Sequence, residues 1–417
     1  MMRWRPLSAV IALVAGLVVV AAPAGAGAAP TNPAPDVVPG LQQWTGSTGR
    51  FEFGVLSRIV VADPALLADA RSFADDLRGV AGVQLPVVSG HSTHRGDIAI
   101  RLGASGLPAQ GYALSIGDTV TIAGVDATGA FYAEQTVEQQ VLQDGSLPRG
   151  EARDWPDVGQ RGFMLDMGRH YYSPAYVERE IRTAAWHKLD VVHLHLTEYN
   201  AFRLQSSTYP GLAAAQSYSH ADLSAFVATA RRYHVTLVPE IDLPAHSTAI
   251  ADFDPTLRFD CASLADGFTL DVTKPQTMQF LVGLLKEFMP LFPDSPVFHL
   301  GGDEYAGLAA QQACPELVDY AKAHGFGSTE DVFVDFLNKL GAQVQALGKR
   351  PEIWNWWDVV GGATISPDKN LIIDAWTGSP AAYLAAGYDT VSSPDNLLYV
   401  TPSSPPGGAI EPNDQYL

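Results

Sequence analysis

Hydrophobic and polar residues alternate with two different rhythms along the chain. The first rhythm covers residues 51–155 and mixes strand-like with helical segments. These are an apolar strand at 57–61, a helical pattern at 64–80, a strand at 97–102, alternation at 112–123 around Gly117-Asp118, and a helical pattern at 127–142. Alternation around a Gly-Asp pair is typical of a β-hairpin. The pattern predicts a small α+β domain, with one sheet covered by helices on one face.

The second rhythm repeats a short apolar strand followed by a helical segment. The predicted strands are 162–167, 191–196, 236–241, 297–300, 351–356, 371–376 and 389–393. Strands alternating with helices over about 250 residues predict a (β/α)8 barrel. Seven strands are counted rather than eight, so either the last strand is missing or the count is one short. A doubly wound sheet is the alternative, but the glycine-rich turn it needs after its first strand is absent.

The N-terminal residues have the pattern of a targeting segment. Arg3 and Arg5 precede an apolar run at 10–22 and a small-residue stretch at 24–29. This order predicts a secretory signal peptide at 1–29, with a retained anchor as the alternative. A Pro/Ala-rich linker is then expected at 30–50, the small domain at 51–155 and the barrel at 156–417. The mature protein is therefore expected to be secreted (extracellular).

Composition narrows the classes of partner. Hydrophobic residues make up 47% and charged residues 17% of the 417, as in a globular protein with a large core. The net charge is 26 − 45 = −19, which argues against nucleic acid and against an anionic membrane surface. Cys261 and Cys314 are predicted to form a disulfide in an oxidising compartment, with two free thiols as the alternative. Their wide spacing, with no nearby histidine, does not suit zinc, and no metal or cofactor is expected.

The ends of the predicted barrel strands carry the candidate chemistry, because catalytic groups of such barrels lie at the carboxyl ends of the strands. Those ends are residues 166–170, 197–200, 240–246, 301–304, 354–358, Trp376 and Tyr399. They bring together carboxylates, one arginine, histidines and several tryptophans. Indole rings stack on the apolar faces of sugar rings, while carboxylates and arginine bind hydroxyl groups. The set therefore indicates a carbohydrate ligand.

The adjacent acids Asp303 and Glu304 are the sharpest feature. Most glycosidases place two carboxyl groups on opposite sides of the scissile bond, about 5–5.5 Å apart when retaining and about 6.5–9.5 Å apart when inverting. Neighbours in sequence cannot easily flank a sugar in that way. An adjacent pair suits a substrate whose own N-acetyl group attacks C1, with one carboxyl as acid and the other holding the amide. The alternative is a solvated Asp-Glu turn.

Four ordered segments resemble glycoside hydrolase family 20, the β-N-acetylhexosaminidases and lacto-N-biosidases. They are RGFMLDMGRH (161–170), HLHLTEYNAFRL (193–204), VPEIDLPAH (238–246) and HLGGDEY (299–305). Residues 111–136 are similar to the small domain that often precedes that catalytic domain. The resemblance covers nearly all of the chain after the predicted signal peptide. It implies a retaining exo-glycosidase that acts on oligosaccharides with terminal N-acetylglucosamine or N-acetylgalactosamine.

The resemblance also implies roles for individual residues. Glu304 would be the general acid/base, and Asp303 would orient the acetamido group. The substrate-binding residues would be Arg169, Glu198, His246, Trp354, Trp376 and Tyr399. Within that set Arg169 would hold the outer hydroxyls and His246 would support the acid. Trp356 and Trp357 are close enough to compete with Trp354 for its place.

Each of these assignments has a structural alternative. Arg169 would otherwise pair with Asp166 or Asp242, His246 would cap a loop, and any one tryptophan would pack in the core. His193 and His195 share one strand face and are interpreted as interior histidines outside the site.

The sequence departs from the family pattern at two places. Residues 197–203 read T-E-Y-N-A-F-R where hexosaminidases have T-D-D-Q-x-W-R, and Thr401 stands where an acid is usual. Both changes favour the lacto-N-biosidase branch, which releases a disaccharide. A catalytically silent sugar-binding homologue is a further alternative. A metal-dependent amidohydrolase would need an H-x-H pair on the first barrel strand and a bridging lysine, and neither is found.

Overall fold

The structure is a computed structural model that describes residues 30–398, 401–402 and 410–411. The predicted signal peptide and Tyr399 lie outside the described residues. None of the helices in the described part is long and apolar enough to cross a membrane.

The N-terminal unit contains a mixed sheet with two helices. Its elements are β1 (Gln43–Phe51), β2 (Ile59–Val61), a 3₁₀ turn (Pro64–Leu66), α1 (Leu67–Ala81), β3 (Val87–Ser89), β4 (Ile98–Leu102), β5 (Tyr112–Ile116), β6 (Val120–Gly124), α2 (Ala127–Asp144) and β7 (Leu147–Asp154). Among the described residues the strand order is β1-β7-β5-β6-β4-β2-β3. The predicted hairpin is β5–β6, which pairs antiparallel from Tyr112 with Gly124 to Ile116 with Val120.

Strands β1, β3 and β7 were not predicted, and β1 begins at Gln43 inside the range expected to be a linker. Strand β1 lies at an edge of the sheet, and of its residues only Phe51 is buried, so it shows little alternation of apolar residues. After Leu147 and Pro148, the buried positions of β7 are Gly150, Ala152 and Asp154 rather than large apolar side chains. A hydrophobicity pattern cannot detect such strands, because backbone pairing rather than apolar burial defines them.

Helix α2 lies between this sheet and the second unit. Its N-terminus is capped by the Asp126 carboxylate, which accepts a hydrogen bond from the Gly129 N–H at 2.8 Å. On the far side Phe131 stacks on His234 at 4.7 Å, and the Gln139 amide donates to the Trp186 carbonyl at 2.8 Å. The helix is therefore buried on both faces and fixes the small domain against the barrel.

The second unit alternates strands and helices from β8 onward. Its elements are β8 (Gly162–Asp166), α3 (Pro174–Trp186), β9 (Val191–His195), β10 (Thr197–Glu198), β11 (Ala201–Phe202), α4 (His220–Arg232), β12 (Thr236–Glu240), α5 (Thr248–Phe253), a 3₁₀ turn (Pro255–Leu257), α6 (Pro275–Phe288), a 3₁₀ turn (Met289–Leu291), β13 (Val297–His299), α7 (Leu308–Gln312), α8 (Pro315–Ala323), α9 (Glu330–Ala346), β14 (Arg350–Trp354), α10 (Trp356–Val360), β15 (Ile372–Ala375), α11 (Pro380–Ala385), β16 (Thr390–Ser392), α12 (Asp395–Leu398), β17 (Thr401–Pro402) and β18 (Ile410–Glu411).

Seven of these strands, within the described residues, form one parallel sheet in the order β16-β15-β14-β13-β12-β9-β8. All seven predicted barrel strands are present. The prediction of a barrel-type α/β domain preceded by a small α+β domain is confirmed.

The register of this sheet places ionisable residues side by side. Asp166 pairs with His195, His195 with Glu240, Glu240 with His299, and His299 with Glu352. We call these five residues the ionisable row. The first four are the last residues of their strands. The row therefore lies where the chain leaves the sheet to form the loops of the carboxyl edge.

A disulfide joins two of these loops. Cys261, after α5, is bonded to Cys314 at the start of α8. Phe259, Leu264 and Leu317 pack around the bond in a small hydrophobic cluster of their own. The cluster connects the segment before α6 to the segment that follows Asp303 and Glu304.

Candidate active site

The loop after β13 carries the two adjacent acids in a tightly constrained backbone. Gly301 and Gly302 have φ of 71° and 97°, and Glu304 has φ of 51°. The Gly302 N–H donates to Asp242 Oδ1 at 3.1 Å, and a Cβ at position 301 would lie 1.8 Å from that same oxygen. Position 301 therefore has no room for a side chain. A left-handed conformation at a non-glycine residue such as Glu304 is strained, and such strain concentrates at functional sites.

A single imidazole nitrogen lies against both acids. His246 Nε2 is 3.1 Å from Glu304 Oε2 and 3.4 Å from Asp303 Oδ2. The Glu304 side chain is 47% exposed and that of Asp303 is 16% exposed, whereas His246 is buried. The ring of Phe268 meets His246 edge-on at 4.7 Å. A ligand can thus reach the acids from solvent while the histidine beneath them stays enclosed.

The charge on His246 follows from its neighbours. Burial opposes a positive imidazole, but the carboxylates of Asp242, Asp303, Glu198 and Glu304 outweigh burial and raise the pKa of His246. Asp242 behaves in the opposite way, because burial and the nearby Asp303 raise the pKa of its carboxyl well above the ordinary value. The site therefore holds an imidazolium among several acids.

Glu198 is the hub that connects this histidine to the arginine. Its Oε2 accepts from the Tyr199 N–H at 2.9 Å and lies 3.0 Å from His246 Nδ1, while its Oε1 lies 2.6 Å from Arg169 Nη2. Burial opposes the charge, yet the bonds from His195 and His246 lower the pKa of Glu198 to about 2. Its side chain is 0% exposed. Glu198 is predicted to bind substrate; in the structure its side chain is enclosed by protein partners, among them Arg169 and His246.

Arg169 is half exposed and held on two sides. Its Nη1 lies 2.8 Å from Asp166 Oδ2, so the ion pair offered as its structural alternative is present. The same guanidinium pairs with Glu198 and keeps exposed surface toward solvent. Asp166 and Glu198 together orient the group without enclosing it, which leaves it able to bind a ligand.

The tryptophans near the site differ in how far they are exposed. Trp376 stacks on Trp356 with ring centres 5.7 Å apart, and both are partly exposed. Trp354 is only 5% exposed, and its indole N–H donates to Glu240 Oε1 at 2.8 Å. The reason is position: Trp354 ends β14 and faces the sheet interior, whereas Trp356 begins α10. The partly exposed aromatic pair is thus Trp356 with Trp376, and Trp354 lies beneath it in the interior.

Two residues of the interior touch the site and were missed by sequence reasoning. His195, set aside as an interior histidine, places Nε2 3.2 Å from Glu198 Oε1. Its Nδ1 lies 2.5 Å from Glu240 Oε2, and Glu240 is fully buried. Both residues stand at the ends of predicted strands, and this position could have pointed to them. Recognising that they contact each other, however, requires the register between those strands.

Donor groups of the kind that bind metals also occur here. The ligand atoms of His193, Glu240 and His299 lie within 4.8 Å of one another. The Glu240 carboxylate, however, already accepts hydrogen bonds from Trp354 and His195. These bonds engage both oxygens of the Glu240 carboxylate, and we assign no metal to the cluster.

Comparison with known proteins matches both units of the chain to domains of one family. The family model described as glycosyl hydrolase family 20, catalytic domain, matches residues 159–412, and the model of domain 2 of the same family matches residues 34–155. A lacto-N-biosidase of Bifidobacterium bifidum is 28% identical over 376 residues, which are 88% of this chain and 33% of that protein. A β-hexosaminidase of Porphyromonas gingivalis is 28% identical over 393 residues, covering 86% of this chain and 50% of that protein.

Among solved structures, an exo-β-N-acetylglucosaminidase of Vibrio harveyi, determined with N-acetylglucosamine, superposes with a TM-score of 0.78 at 21% identity. The match covers 92% of this chain and 64% of that one. The two curated relatives are thus much longer proteins, of which this chain spans a third and a half.

Proposed function

The chain belongs to glycosyl hydrolase family 20, and we propose that it removes terminal β-linked N-acetylhexosamine from the non-reducing ends of oligosaccharides. One observation carries the proposal. Asp303 and Glu304 both lie against the same buried nitrogen of His246, at 3.4 and 3.1 Å. They therefore approach a ligand from one side and cannot act as acid and nucleophile on opposite sides of a glycosidic bond.

We propose that the substrate supplies the nucleophile in the first step. The Glu304 carboxyl gives its proton to the leaving oxygen as the C1–O bond breaks. The carbonyl oxygen of the substrate's N-acetyl group forms the new bond to C1, and an oxazolinium ion results. Asp303 accepts the amide N–H of that group, which aims the carbonyl oxygen and stabilises the positive charge.

The second step restores the enzyme. The Glu304 carboxylate takes a proton from a water molecule, whose oxygen attacks C1 and opens the oxazolinium ring. The N-acetyl group is regenerated, and C1 has been inverted twice. The product therefore keeps the β configuration.

The surrounding residues suit this chemistry. The His246 imidazolium lies 3.1 Å from Glu304 and stabilises the carboxylate that forms when the acid has given up its proton. Arg169, held by Asp166 and Glu198, is available for sugar hydroxyls. Trp356 and Trp376 offer partly exposed rings against which an acetamido methyl group can pack.

We also propose that the protein acts outside the cell. The support comes from the sequence pattern at residues 1–29 and from the Cys261–Cys314 bond, since disulfides persist in oxidising compartments. Oligosaccharides with terminal N-acetylglucosamine or N-acetylgalactosamine are the proposed partners.

Release of the disaccharide lacto-N-biose is the second candidate. It is favoured by the match to a lacto-N-biosidase over 88% of the chain and by Thr401 in place of the usual acid. The chemistry at Asp303 and Glu304 would be the same, and only the sugar held beyond the reacting one would differ.

The test uses two chromogenic aryl glycosides, the N-acetyl-β-glucosaminide and the β-lacto-N-bioside, with wild type and Glu304→Gln. General acid catalysis contributes about 10²–10⁴-fold, so we expect the variant to lose that factor. Turnover of only the disaccharide would select the second candidate. The β anomer as first product, seen by NMR, supports two inversions, and the α anomer would rule them out. A folded wild type inactive on both substrates would refute the proposal.

A further inference from the structure

An unbroken line of contacts runs from the proposed acid into the interior of the sheet. His246 lies 3.1 Å from Glu304 and 3.0 Å from Glu198. Glu198 lies 3.2 Å from His195, and His195 lies 2.5 Å from Glu240. The line ends at Trp354, whose indole donates to Glu240 at 2.8 Å. We call these six residues the interior chain. Acid and base alternate along it as far as Glu240.

Strand register builds the deepest part of this chain. His195 and Glu240 are paired across β9 and β12, and both are the last residues of their strands. Rigid elements therefore fix their separation, whereas Glu198 and His246 lie beyond the strands of the barrel sheet. The Glu240 carboxylate is fully buried and also lies 3.0 Å from His193 and 3.2 Å from His299. No step of the proposed reaction uses it directly.

We propose that Glu240 is a positioning residue for the acid: it holds His195 as a cation against Glu198, and Glu198 in turn holds His246 beside Glu304. The proposal rests on the proposed function, because it assigns Glu304 as the acid. It goes beyond that function by assigning control of the acid's surroundings to a residue four contacts away from the acid.

The charges around His195 support this role. Burial opposes an imidazolium, but Glu240 and Glu198 flank the ring on its two nitrogens and raise its pKa well above the ordinary value. Burial likewise opposes a charged Glu240, but His195, His299 and His193 lower the pKa of that carboxyl. The ionisable groups that face or neighbour this region are Asp166, Arg169, His193, Glu198, Asp242, His246, His299, Asp303, Arg350, Glu352 and Asp374. Within the described residues, the two carboxylates bonded to His195 are Glu240 and Glu198.

The substitution Glu240→Gln tests the charge of this side chain separately from its shape. Glutamine keeps the size and can still accept from the Trp354 indole, but it carries no charge to balance His195. The imidazole then loses its proton, and Glu198 loses one of the two cations that lower its pKa to about 2. Glu198 becomes protonated at a higher pH, and its hold on His246 weakens as pH falls. The acidic limb of kcat/KM should move to higher pH.

For Glu240→Gln we expect this limb to rise by about one pH unit or more, which is about a tenfold loss of kcat/KM on that limb. The loss should fall on kcat, with KM within about threefold of wild type, because Glu240 does not touch the sugar. The matched control is Glu352→Gln. Glu352 is buried in the same row, and burial raises its pKa to about 8, so glutamine resembles its neutral form. This control should leave the pH profile in place.

A second measurement does not need activity. NMR of histidine labelled in the ring should show His195 as a cation from pH 5 to pH 8 in wild type and as a neutral ring in Glu240→Gln. If wild type hydrolyses neither glycoside, the proposed function fails, yet these spectra still decide whether Glu240 holds the charge. His195→Gln breaks the same chain one contact nearer the acid and should reproduce the kinetic shift if Glu240→Gln does not fold.

Three results would overturn the proposal. The first is a folded Glu240→Gln with the wild-type pH profile. The second is an equal shift in Glu352→Gln, which would mean that any change in the interior moves the limb. The third is a neutral His195 in the wild-type spectra.

Discussion

Glutamates are buried in two parts of this molecule with opposite consequences. At the carboxyl edge of the barrel, Glu198 and Glu240 are surrounded by histidines, and the pKa of each is lowered in spite of burial. On α2, between the two domains, Glu134 and Glu138 are equally buried, and burial raises the pKa of each well above the ordinary value. Burial alone therefore does not set the charge of a carboxyl group, because neighbouring histidines can outweigh it.

The difference lies in which ionisable groups neighbour the buried glutamates in each region. At the barrel edge, strand register places His195 and His299 beside Glu240, and His195 and His246 contact the two oxygens of Glu198. Along α2 the nearest ionisable groups are other acids, Asp69 and Asp76, which add to the effect of burial. One oxygen of Glu134 and one of Glu138 have no hydrogen-bond partner within the described part of the chain. The first arrangement keeps Glu198 and Glu240 charged where chemistry is proposed, and the second neutralises Glu134 and Glu138 at a packing interface.

The strongest way to break this comparison is to remove the cation shared by the barrel acids. His246→Gln removes the cation that contacts the buried carboxylate of Glu198, and breaking a buried pair costs about 3–5 kcal/mol. We expect a loss of that size in urea unfolding at pH 7. The control is His234→Gln at the domain interface, where the imidazole faces Asp69 at 3.3 Å. If the control loses as much stability as His246→Gln, the contacts of His246 with several acids do not account for the loss.

Glu287 tests whether uncharged donors can replace histidines. This nearly buried carboxylate of α6 accepts from Ser206 Oγ at 2.6 Å and from the Ser207 N–H at 2.6 Å. Burial opposes its charge, but these bonds lower its pKa to about 2. Glu287→Gln should lose about 1–3 kcal/mol of unfolding free energy at pH 7, because its amide group would face donors.

The sign of the pH dependence is fixed by that lowered pKa. Stability from Glu287 is present above the ordinary carboxyl value of 4.5 and is lost as pH falls toward 2. The gap between wild type and variant should therefore narrow in acid. Glu151→Gln, at an exposed position of β7, should leave stability unchanged. A gap that stays constant with pH would mean that size rather than charge matters at position 287.

The smallest expected effect concerns α2 and has the opposite sign. A raised pKa means that stability is present below the ordinary carboxyl value and is lost as pH rises through the raised value. The double variant Glu134→Gln/Glu138→Gln cannot ionise and avoids this loss. We expect nearly equal stability at pH 4, below the ordinary carboxyl value, and a gain on the order of 1 kcal/mol at pH 9.

The reciprocal change Gln140→Glu adds a third buried acid to the same helix and should destabilise increasingly as pH rises. Denaturant unfolding at the two pH values measures both effects. A double variant that is less stable than wild type at pH 9 would show that the two glutamates are charged there.

The sequence predicts most of the barrel because its strands are apolar runs bounded by polar turns, as at 191–196 and 236–241. Strands β1 and β7 were not predicted because most of their residues are small or polar and large apolar side chains do not alternate along them. The acid pair followed from adjacency, but the exposure of Trp356 rather than Trp354 did not, because α10 begins at Trp356 and strand alternation no longer applies there. The roles of His195 and Glu240 also could not be derived, because contact between them depends on strand register, which a single sequence does not contain.

The close approach at Gly301 limits which residues position 301 can hold. Any side chain at position 301 would occupy the space of the Asp242 carboxylate, whose oxygen is 1.8 Å from where a Cβ would be. A mutation there cannot be accommodated by a local adjustment, because the residue in its way is itself buried and tied to the acid loop. Even the single methyl group of Gly301→Ala would therefore displace the acid loop, although glycine contributes no atom to catalysis.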